Sequence, residues 1–438
     1  MKQYIPLLSI IATMAIGSCK PGIEPVKPSA GQADFSTYVS IGNSLTAGYA
    51  DGSLYRSGQE NSYPSMLAAQ FKLAGGGDFK QPLLPGNAGW PGLKRVLGYS
   101  TDCAGTTALG PIYYTGSSDT AGSATNIASA GPYNNVGIPG IRCIDYTLTG
   151  YGMLNPYATR FFSNPATQRA IDVALQPIPT FFTLWLGAND VLGYATSGGS
   201  GVVGGVTTID ISPQAAFKAS YDAVVKALVD IGAKGVLINI PDVTSVPFFT
   251  TVPAKGLALT SEAQVTALNT AYAALGISFS LGANYFIIAD ASATGGLRQI
   301  KDGEYILLSV PQDSIKCAGW GSAKPIPAQY VLDATEVANV QEATTYFNQV
   351  IADNASQYNL ALMDADSYLG TLKSGITWNG VTFSPTYVTG GAFSLDGVHL
   401  TPRGYALVAN QIIKVVNAQY GATLSEVDVN KYNGILYP

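Results

Sequence analysis

The hydrophobic positions of this chain form short continuous runs. Longer stretches between the runs have apolar residues at the spacing of a helix. Four runs have the length of strands: residues 37–42 (TYVSIG), 179–187 (PTFFTLWLG), 234–241 (KGVLINIP) and 359–365 (NLALMDA). Strands with few polar positions are typical of a sheet that is covered on both faces. The pattern therefore predicts a sheet buried between layers of helices.

Amphipathic helical stripes lie between and after these runs. The clearest has Ser212 as its N-cap, Pro213 at its first position and Gly232 at its end. The apolar positions of the stripes are Phe217, Tyr221, Val224 and Leu228; Val265, Leu268, Tyr272 and Leu275; Val337, Val340, Phe347 and Ile351; and, after Thr401 and Pro402, Tyr405, Val408, Ile412 and Val415. The order strand, helix, strand indicates a parallel sheet, so the sequence predicts an α/β sandwich.

Two regions interrupt this alternation. Residues 55–133 contain one predicted helix near 63–73 and are otherwise rich in Gly, Ser, Thr and Tyr, while residues 245–324 carry extra elements between two core strands. Loops at the edge of a sheet tolerate insertions and often form binding sites. We interpret both regions as insertions in one domain covering residues 34–438; a separate second domain is the alternative.

Composition and charge exclude several classes of protein. The chain has 438 residues, of which 47% are hydrophobic and 12% are charged, as in a globular protein. Its net charge is -5 and it has no cluster of Lys and Arg, so we expect no nucleic acid partner. Its one histidine, His399, excludes zinc sites built on two or more histidines, and the cysteines lack the spacing of a thiolate site.

The N-terminus has the plan of an export signal. Lys2 precedes an apolar stretch over residues 4–16, and small residues lead to Cys19, which predicts a signal peptide over residues 1–18. The ending IGSC resembles the bacterial lipoprotein signal, which implies lipidation of Cys19; an ordinary secretory signal is the alternative. Residues 19–33, rich in Pro and Gly, read as a tether. We expect an extracytoplasmic protein anchored to a bacterial membrane, at the outer membrane or cell surface.

Three further cysteines, Cys103, Cys143 and Cys317, predict one disulfide and one free thiol in an oxidising compartment. The pair Cys103–Cys143 closes the shortest loop, and we favour it on that ground alone.

Ser44 is the first residue with candidate chemistry. It lies in the stretch SIGNSLTAGYADG (residues 40–52), after a strand and before a helix, where a serine often only caps the helix. The nucleophile elbow G-x-S-x-G is absent, because Ser44 has Gly42 before it but Thr46 after it. This argues against an ordinary α/β-hydrolase and leaves serine chemistry open.

His399 is the candidate base. Asp396 precedes it by three residues in SLDGVHLTPRG, and a helix follows. An aspartate at this spacing on a turn can accept the second N–H of the imidazole, which fixes the tautomer and stabilises the protonated ring. The alternative is a plain turn and helix start with a solvated histidine.

Four short motifs occur in the order of the sequence blocks of one family: GNSLTAGY, NVGIPG, LGAND and DGVH. Together they resemble the SGNH hydrolases, also called GDSL esterases and lipases, over nearly the whole mature chain. The resemblance implies a flavodoxin-like α/β/α sandwich with a parallel sheet of about five strands. It also implies hydrolysis of carboxylic esters, acyl or acetyl, without metal or organic cofactor.

The same resemblance assigns a role to each motif. Ser44 is implied as the nucleophile, His399 as the base and Asp396 as the residue that holds the ring. The backbone N–H groups of Ser44 and Gly140 and the side chain of Asn189 are implied as the oxyanion hole.

Two positions depart from the family pattern. Asn43 stands where the family usually has Asp, and Leu400 follows the histidine where many members have Pro. Asn43 motivates an alternative function, a non-catalytic surface lipoprotein that binds glycan or lipid, with residues 55–133 as its binding face. The substrate, a small molecule, glycan or lipid ester, and the oligomeric state stay open. The stretch VPFFTTVP (residues 246–253) either lines an acyl channel or belongs to the core.

Overall fold

The structure, a computed structural model, describes residues 27–438. The predicted signal peptide, Cys19 and the first part of the predicted tether lie outside the described residues. Within residues 27–438 the strands are β1 (Tyr38–Gly42), β2 (Arg95–Thr101), β3 (Thr107–Tyr113), β4 (Asn135–Gly137), β5 (Phe181–Trp185), β6 (Lys234–Ile238), β7 (Leu257–Leu259), β8 (Gly282–Asn284), β9 (Ile287–Ala289), β10 (Leu297–Gln299), β11 (Tyr305–Ile306), β12 (Val331–Leu332), β13 (Ala361–Met363), β14 (Ile376–Trp378) and β15 (Val381–Phe383).

The α-helices of the same residues are α1 (Ser44–Ala47), α2 (Arg56–Glu60), α3 (Tyr63–Leu73), α4 (Pro156–Phe161), α5 (Ala170–Leu175), α6 (Asn189–Thr196), α7 (Gln214–Asp230), α8 (Pro247–Thr250), α9 (Glu262–Tyr272), α10 (Gln312–Lys316), α11 (Ala334–Gln357), α12 (Ala365–Gly370) and α13 (Pro402–Tyr420). No helix of the described part is both long and apolar enough to cross a membrane.

The central sheet has five parallel strands in the order β13-β6-β5-β1-β4. Numbered along the chain, this is the flavodoxin-like order 2-1-3-4-5. Every residue of β1 and β5 is buried, as their apolar composition predicts. The predicted fold class is therefore confirmed. The strand that the apolar pattern does not predict is β4, which has three residues and lies inside the motif NVGIPG.

Helices cover both faces of the sheet. On one face, Phe71 of α3 and Tyr420 of α13 contact Phe181 of β5, with ring centroids 5.5 and 5.6 Å away. On the other face α5, α7 and α11 pack together, and Phe217 of α7 stacks on Phe347 of α11 at 3.9 Å. Apolar stripes from both layers thus meet the sheet, which is the predicted three-layer sandwich.

The observed starts of α13 and α7 lie at or within one residue of those that the sequence predicts. Thr401 caps α13, because its Oγ1 accepts a hydrogen bond from the N–H of Gly404 at 3.1 Å, and Pro402 takes the first position. The start of α7 is one residue later than predicted. Pro213 rather than Ser212 occupies the capping position, and the hydroxyl of Ser212 is buried without a partner among the described residues.

The first predicted insertion needs a correction. Tyr63, Leu67 and Phe71 of α3 are buried in the same core as the central strands, so this helix belongs to the sandwich. The β2–β3 hairpin is the part of residues 55–133 that projects from it, since Tyr99 and Tyr113 are largely exposed.

The second insertion has small hydrophobic cores of its own. One contains Phe286, Ile288, Ile300, Ile306, Val310, Ile326 and Val331, and the other contains Leu259, Val265, Tyr272, Phe279 and Ile287. In contrast, Val246 and Phe249 of the stretch VPFFTTVP lie in the main core, which agrees with the core interpretation of that stretch.

Residues 27–33, the second part of the predicted tether, lie against the end of α13. The N–H of Gln32 donates to the carbonyl of Tyr420 at 2.7 Å, and the N–H of Thr423 donates to that of Ser29 at 2.9 Å. The packed part of the chain thus includes Lys27 and the residues after it, ahead of the boundary placed at Asp34.

The predicted disulfide is wrong. Cys103, in the turn of the β2–β3 hairpin, bonds to Cys317 at the end of α10, a sequence separation of 214 residues. Cys143 is a free, buried thiol in the main core. The short separation in sequence does not bring the two thiols together, because Cys103 lies exposed in a hairpin turn whereas Cys143 is buried in the main core. The bond joins the two insertions.

Peptide mapping under non-reducing conditions will test this pairing. We expect a linked peptide containing Cys103 and Cys317, and alkylation of Cys143 only after unfolding, because its thiol is buried. Since the bond closes a long loop, the double variant Cys103→Ser with Cys317→Ser should lose roughly 2–5 kcal/mol of stability, whereas Cys143→Ala keeps the linked peptide. A peptide linking Cys143 to either partner would contradict the structure.

Candidate active site

The carboxyl edge of the central sheet brings four distant motifs together. Gly42 of β1 pairs with Gly137 of β4 on one side and with Trp185 of β5 on the other. Because all three strands are parallel, the loops that follow them leave from the same edge. The strand order reverses between β1 and β5, and in sheets of this order ligands bind at that point.

Ser44 follows β1 at this edge. Asn43 is the N-cap of α1, since its side-chain oxygen accepts a hydrogen bond from the N–H of Leu45 at 3.0 Å, and Ser44 is the first helical residue. A side chain at Gly42 would collide with Thr46 and with the carbonyl of Trp185, so glycine is needed at this turn. The alternative that Ser44 itself caps the helix is therefore wrong.

Ser44, His399 and Asp396 form one hydrogen-bonded chain. The Oγ of Ser44 lies 2.8 Å from the Nε2 of His399, although the two residues are 355 positions apart. The Nδ1 of His399 lies 2.9 Å from the Oδ2 of Asp396. If Nδ1 carries the ring proton and donates it to the carboxylate, Nε2 is the acceptor that faces the serine hydroxyl.

The carboxylate of Asp396 is held by donors from two parts of the chain. Its Oδ1 accepts from the N–H groups of Val398 and His399, both at 2.8 Å, and from the hydroxyl of Ser394 at 3.2 Å. Its Oδ2 accepts from the N–H of Gly52 at 2.8 Å. Burial alone would raise the pKa of Asp396, but the neighbouring His399 and these hydrogen bonds lower it below its usual range. The carboxylate is thus charged at neutral pH.

Tyr49 completes the surroundings of the imidazole. Its ring centroid lies 4.6 Å from that of His399, and its hydroxyl donates to the carbonyl of Gly52 at 2.6 Å. Burial, with the nearby charge of Asp396, raises the pKa of Tyr49 to about 12, so it stays neutral. The side chain of His399 is only 14% exposed. The ring is therefore held in place and largely shielded from water.

Gly140 and Asn189 follow the two strands beside β1. Gly140 is an exposed residue with φ +82°, a conformation that disfavours other residues, and its N–H makes no hydrogen bond within the described part of the chain. The Nδ2 of Asn189 donates to the carbonyl of Ile141 at 2.9 Å, which ties the two loops together. Because an amide nitrogen carries two hydrogens, one N–H of Asn189 is left for a ligand.

Asn155 and Asp190 hold the Gly140 loop, and the sequence motifs did not identify either role. Asn155 donates to the carbonyl of Pro139 at 2.9 Å, and its oxygen caps α4. Asp190, beside Asn189, accepts from the N–H of Cys143 at 2.6 Å. Burial raises the pKa of Asp190 to about 7, although this hydrogen bond favours the charged form.

The residues that support Asp396 were likewise not identified by the sequence motifs. Asp51 and Gly52 follow the motif GNSLTAGY, and Ser394 lies two residues before the DGVH motif. An Asp-Gly pair predicts a turn, but nothing in its spacing shows that the turn contacts a residue 344 positions away.

The chain is thus a flavodoxin-like α/β/α sandwich with this hydrogen-bonded group at the carboxyl edge of its sheet. Residues 38–412 match the model of the family described as GDSL-like Lipase/Acylhydrolase. The match covers most of the chain, and the chain belongs to this family. The predicted family is therefore confirmed, and the protein is a hydrolase of the kind that acts on acyl esters.

Two solved structures match most of the chain at low similarity. An extracellular lipase from Streptomyces rimosus shows 14% identity and a TM-score of 0.35, over 87% of this chain and 98% of the other. A protein of Parabacteroides merdae ATCC 43184, assigned as a GDSL-like lipase, shows 10% identity and a TM-score of 0.35, over 89% and 99%. No curated protein matches the chain.

The raised pKa of Asp190 predicts a pH dependence of stability. Between about pH 4 and 7 the folded protein keeps a proton on this carboxyl that the unfolded chain releases, so stability falls as pH rises through this window. The variant Asp190→Asn should lack this contribution while still accepting from Cys143.

Thermal midpoints of both proteins, measured from about pH 4 to pH 8, will test it. The midpoint of the wild type should fall relative to that of D190N as pH rises, and the difference should level off above about pH 7. The exposed Asp78→Asn serves as a control with little effect. Parallel curves for the wild type and D190N would contradict the assignment.

Proposed function

We propose that this protein is a serine esterase that cleaves carboxylic esters through Ser44, His399 and Asp396. The observation that carries the proposal is the 2.8 Å contact between the Ser44 hydroxyl and the Nε2 of His399. His399 takes the hydroxyl proton as Ser44 forms a bond to the acyl carbon, and then gives the proton to the leaving alcohol. A water then bonds to the acyl carbon as His399 takes its proton, and His399 returns that proton to the Oγ of Ser44 as the bond from Oγ to the acyl carbon breaks and the acid leaves.

Asp396 keeps the imidazole in the productive tautomer in this scheme. Its charge also stabilises the imidazolium that forms when His399 takes the proton. The low pKa of Asp396 supports this role, because the carboxylate stays ionised while His399 cycles between its two states.

The oxyanion of the tetrahedral intermediate requires preorganised donors. We assign them to the N–H groups of Ser44 and Gly140 and to the free N–H of Asn189. Two observations support this assignment. The three residues follow neighbouring strands at one edge of the sheet, and the hydrogen bond from Asn189 to Ile141 orients the amide. Donors fixed before the reaction need no reorganisation as charge develops.

The non-catalytic alternative depends on Asn43, and the geometry at that position does not favour it. The amide oxygen of Asn43 caps α1, an acceptor role in which Asn and Asp are about equivalent. The triad acid is Asp396, on a different segment, so the missing charge at residue 43 removes no group from the proposed reaction.

We also propose export and lipid anchoring through Cys19. The signal-like N-terminus supports this, and the Cys103–Cys317 disulfide fits an oxidising compartment. The ester is a small-molecule, glycan or lipid ester. Both insertions contact the site edge, since the N–H of Arg95 donates to the carbonyl of Asp51 and that of Phe248 to the carbonyl of Gly397. We therefore assign the selection among these substrates to the insertions.

Replacing Ser44 or His399 by Ala should abolish turnover of a short activated acyl ester, because each change removes a group that reacts. The control is Ser118→Ala, an exposed serine, which should behave as the wild type. A fluorophosphonate probe should label the wild type at Ser44 and fail to label S44A. Turnover retained in both S44A and H399A would overturn the proposed mechanism.

Asn189→Ala should lower kcat about 100- to 1000-fold through the loss of one oxyanion donor, with a smaller effect on KM. Asn43→Asp should stay within about 3-fold of the wild type, because a carboxylate caps α1 as well as an amide does. Steady-state kinetics on the same ester will measure both. The reverse order of effects would support a special role for Asn43.

A further inference from the structure

A second buried carboxylate lies behind the proposed triad. Asp51 accepts a hydrogen bond from the N–H of Leu395 at 3.0 Å and from the hydroxyl of Tyr55 at 2.7 Å. Leu395 immediately precedes Asp396. The carboxylate of Asp51 is therefore hydrogen-bonded to the backbone of the segment that carries the proposed triad acid.

The backbone around Asp51 makes two more bonds to the same segment. The N–H of Asp51 donates to the hydroxyl of Ser394 at 2.9 Å, and that hydroxyl donates to Asp396. The next N–H, from Gly52, donates directly to Asp396. One turn after the nucleophile helix thus makes three bonds to residues 394–396, and one of them ends on the triad carboxylate.

The conformation of Asp51 is a condition for this arrangement. Its φ is +55°, in the left-handed region, where Asp and Asn are tolerated better than most residues. The turn is closed by paired backbone bonds between Ala50 and Ser53, and the N–H of Arg95 donates to the carbonyl of Asp51 at 2.8 Å. This backbone holds the N–H groups of residues 51 and 52 toward the acid segment.

The surroundings of Asp51 disfavour its charged form. Burial raises the pKa of Asp51, and the charge of Asp396 acts in the same direction, whereas Lys94 and the bonds from Leu395 and Tyr55 lower it. Lys94 lies over the ring of Tyr55 at 4.3 Å. A carboxyl in such a place has to be satisfied by hydrogen bonds, and the acid segment supplies one of them.

We propose that Asp51 is a positioning residue for the reaction, which acts by holding residues 394–396 so that Asp396 meets Gly52 and His399. The inference rests on the proposed function of Ser44, His399 and Asp396. In the described structure Asp51 makes no hydrogen bond to Ser44 or His399, so its effect on the reaction passes through the acid.

Three variants separate hydrogen bonding from backbone strain. Asp51→Gly tolerates the positive φ but removes the acceptor, and we expect kcat to fall about 10- to 100-fold while KM stays within about 2-fold. Asp51→Asn keeps an acceptor for Leu395 and should recover most of that loss. Asp78→Gly, which changes an exposed aspartate, is the matched control and should leave the kinetics unchanged.

A double-mutant cycle with Asp396→Ala tests whether Asp51 affects kcat through Asp396. If Asp51 acts through Asp396, adding D51G to D396A should cost no further kcat, because the acid that it positions is already gone. Equal losses in both backgrounds, a rise in KM as the main effect, or a D51N variant as slow as D51G would each overturn the inference.

Ser394→Ala provides a second route if D51G does not fold. It removes the hydroxyl that links the N–H of Asp51 to Asp396, and kcat should fall about 5-fold at constant KM. Full kcat in S394A, or in folded D51G, with S44A inactive would overturn the role of Asp51 alone. Turnover retained in S44A would instead contradict the proposed function itself.

Discussion

The parallel alignment of β1 with β4 and β5 is the constraint on which the proposed site depends. All three strands are in register at Gly42, so the loops that follow them carry Ser44, Gly140 and Asn189 to one edge. In an antiparallel arrangement the same loops would leave from opposite edges. The glycines at the ends of β1 and β4 matter for the same reason, because a side chain at either would collide with α1. The positions of these three residues thus depend on backbone pairing in the sheet.

A buried charge forms the second constraint. The carboxylate of Asp396 lies in a poorly solvated place and is stable there only because donors surround it. Some donors belong to its own turn, but Gly52 comes from the other end of the domain. Asp51 makes the reciprocal contact with Leu395. The turn after α1 and residues 394–396 therefore satisfy each other's polar groups, and the sheet brings these two distant parts of the chain together.

Both insertions contact the turns at the carboxyl edge of the sheet. The second insertion has its own apolar clusters, yet the N–H of Phe248 donates to the carbonyl of Gly397 at 2.9 Å, inside the turn that joins Asp396 to His399. The β2–β3 hairpin begins beside Asp51 and ends in the disulfide to Cys317. An ion pair between Asp102 and the largely exposed Lys316 lies next to that bond, and such a pair adds little. The covalent bond, rather than packing alone, joins the two insertions.

The sequence by itself determined the class of fold and the candidate residues. Apolar runs predicted four of the five central strands because a strand buried on both faces needs apolar side chains throughout. The resemblance of four ordered motifs to one family implied Ser44, Gly140, Asn189, Asp396 and His399. Only the tertiary structure decided which of these groups touch, because the contact from Ser44 to His399 spans 355 positions. It also decided the disulfide, the short strand β4 and the contacts of Asp51 with residues 394–396. These depend on distances in space, and no local pattern of residues encodes a distance between remote segments.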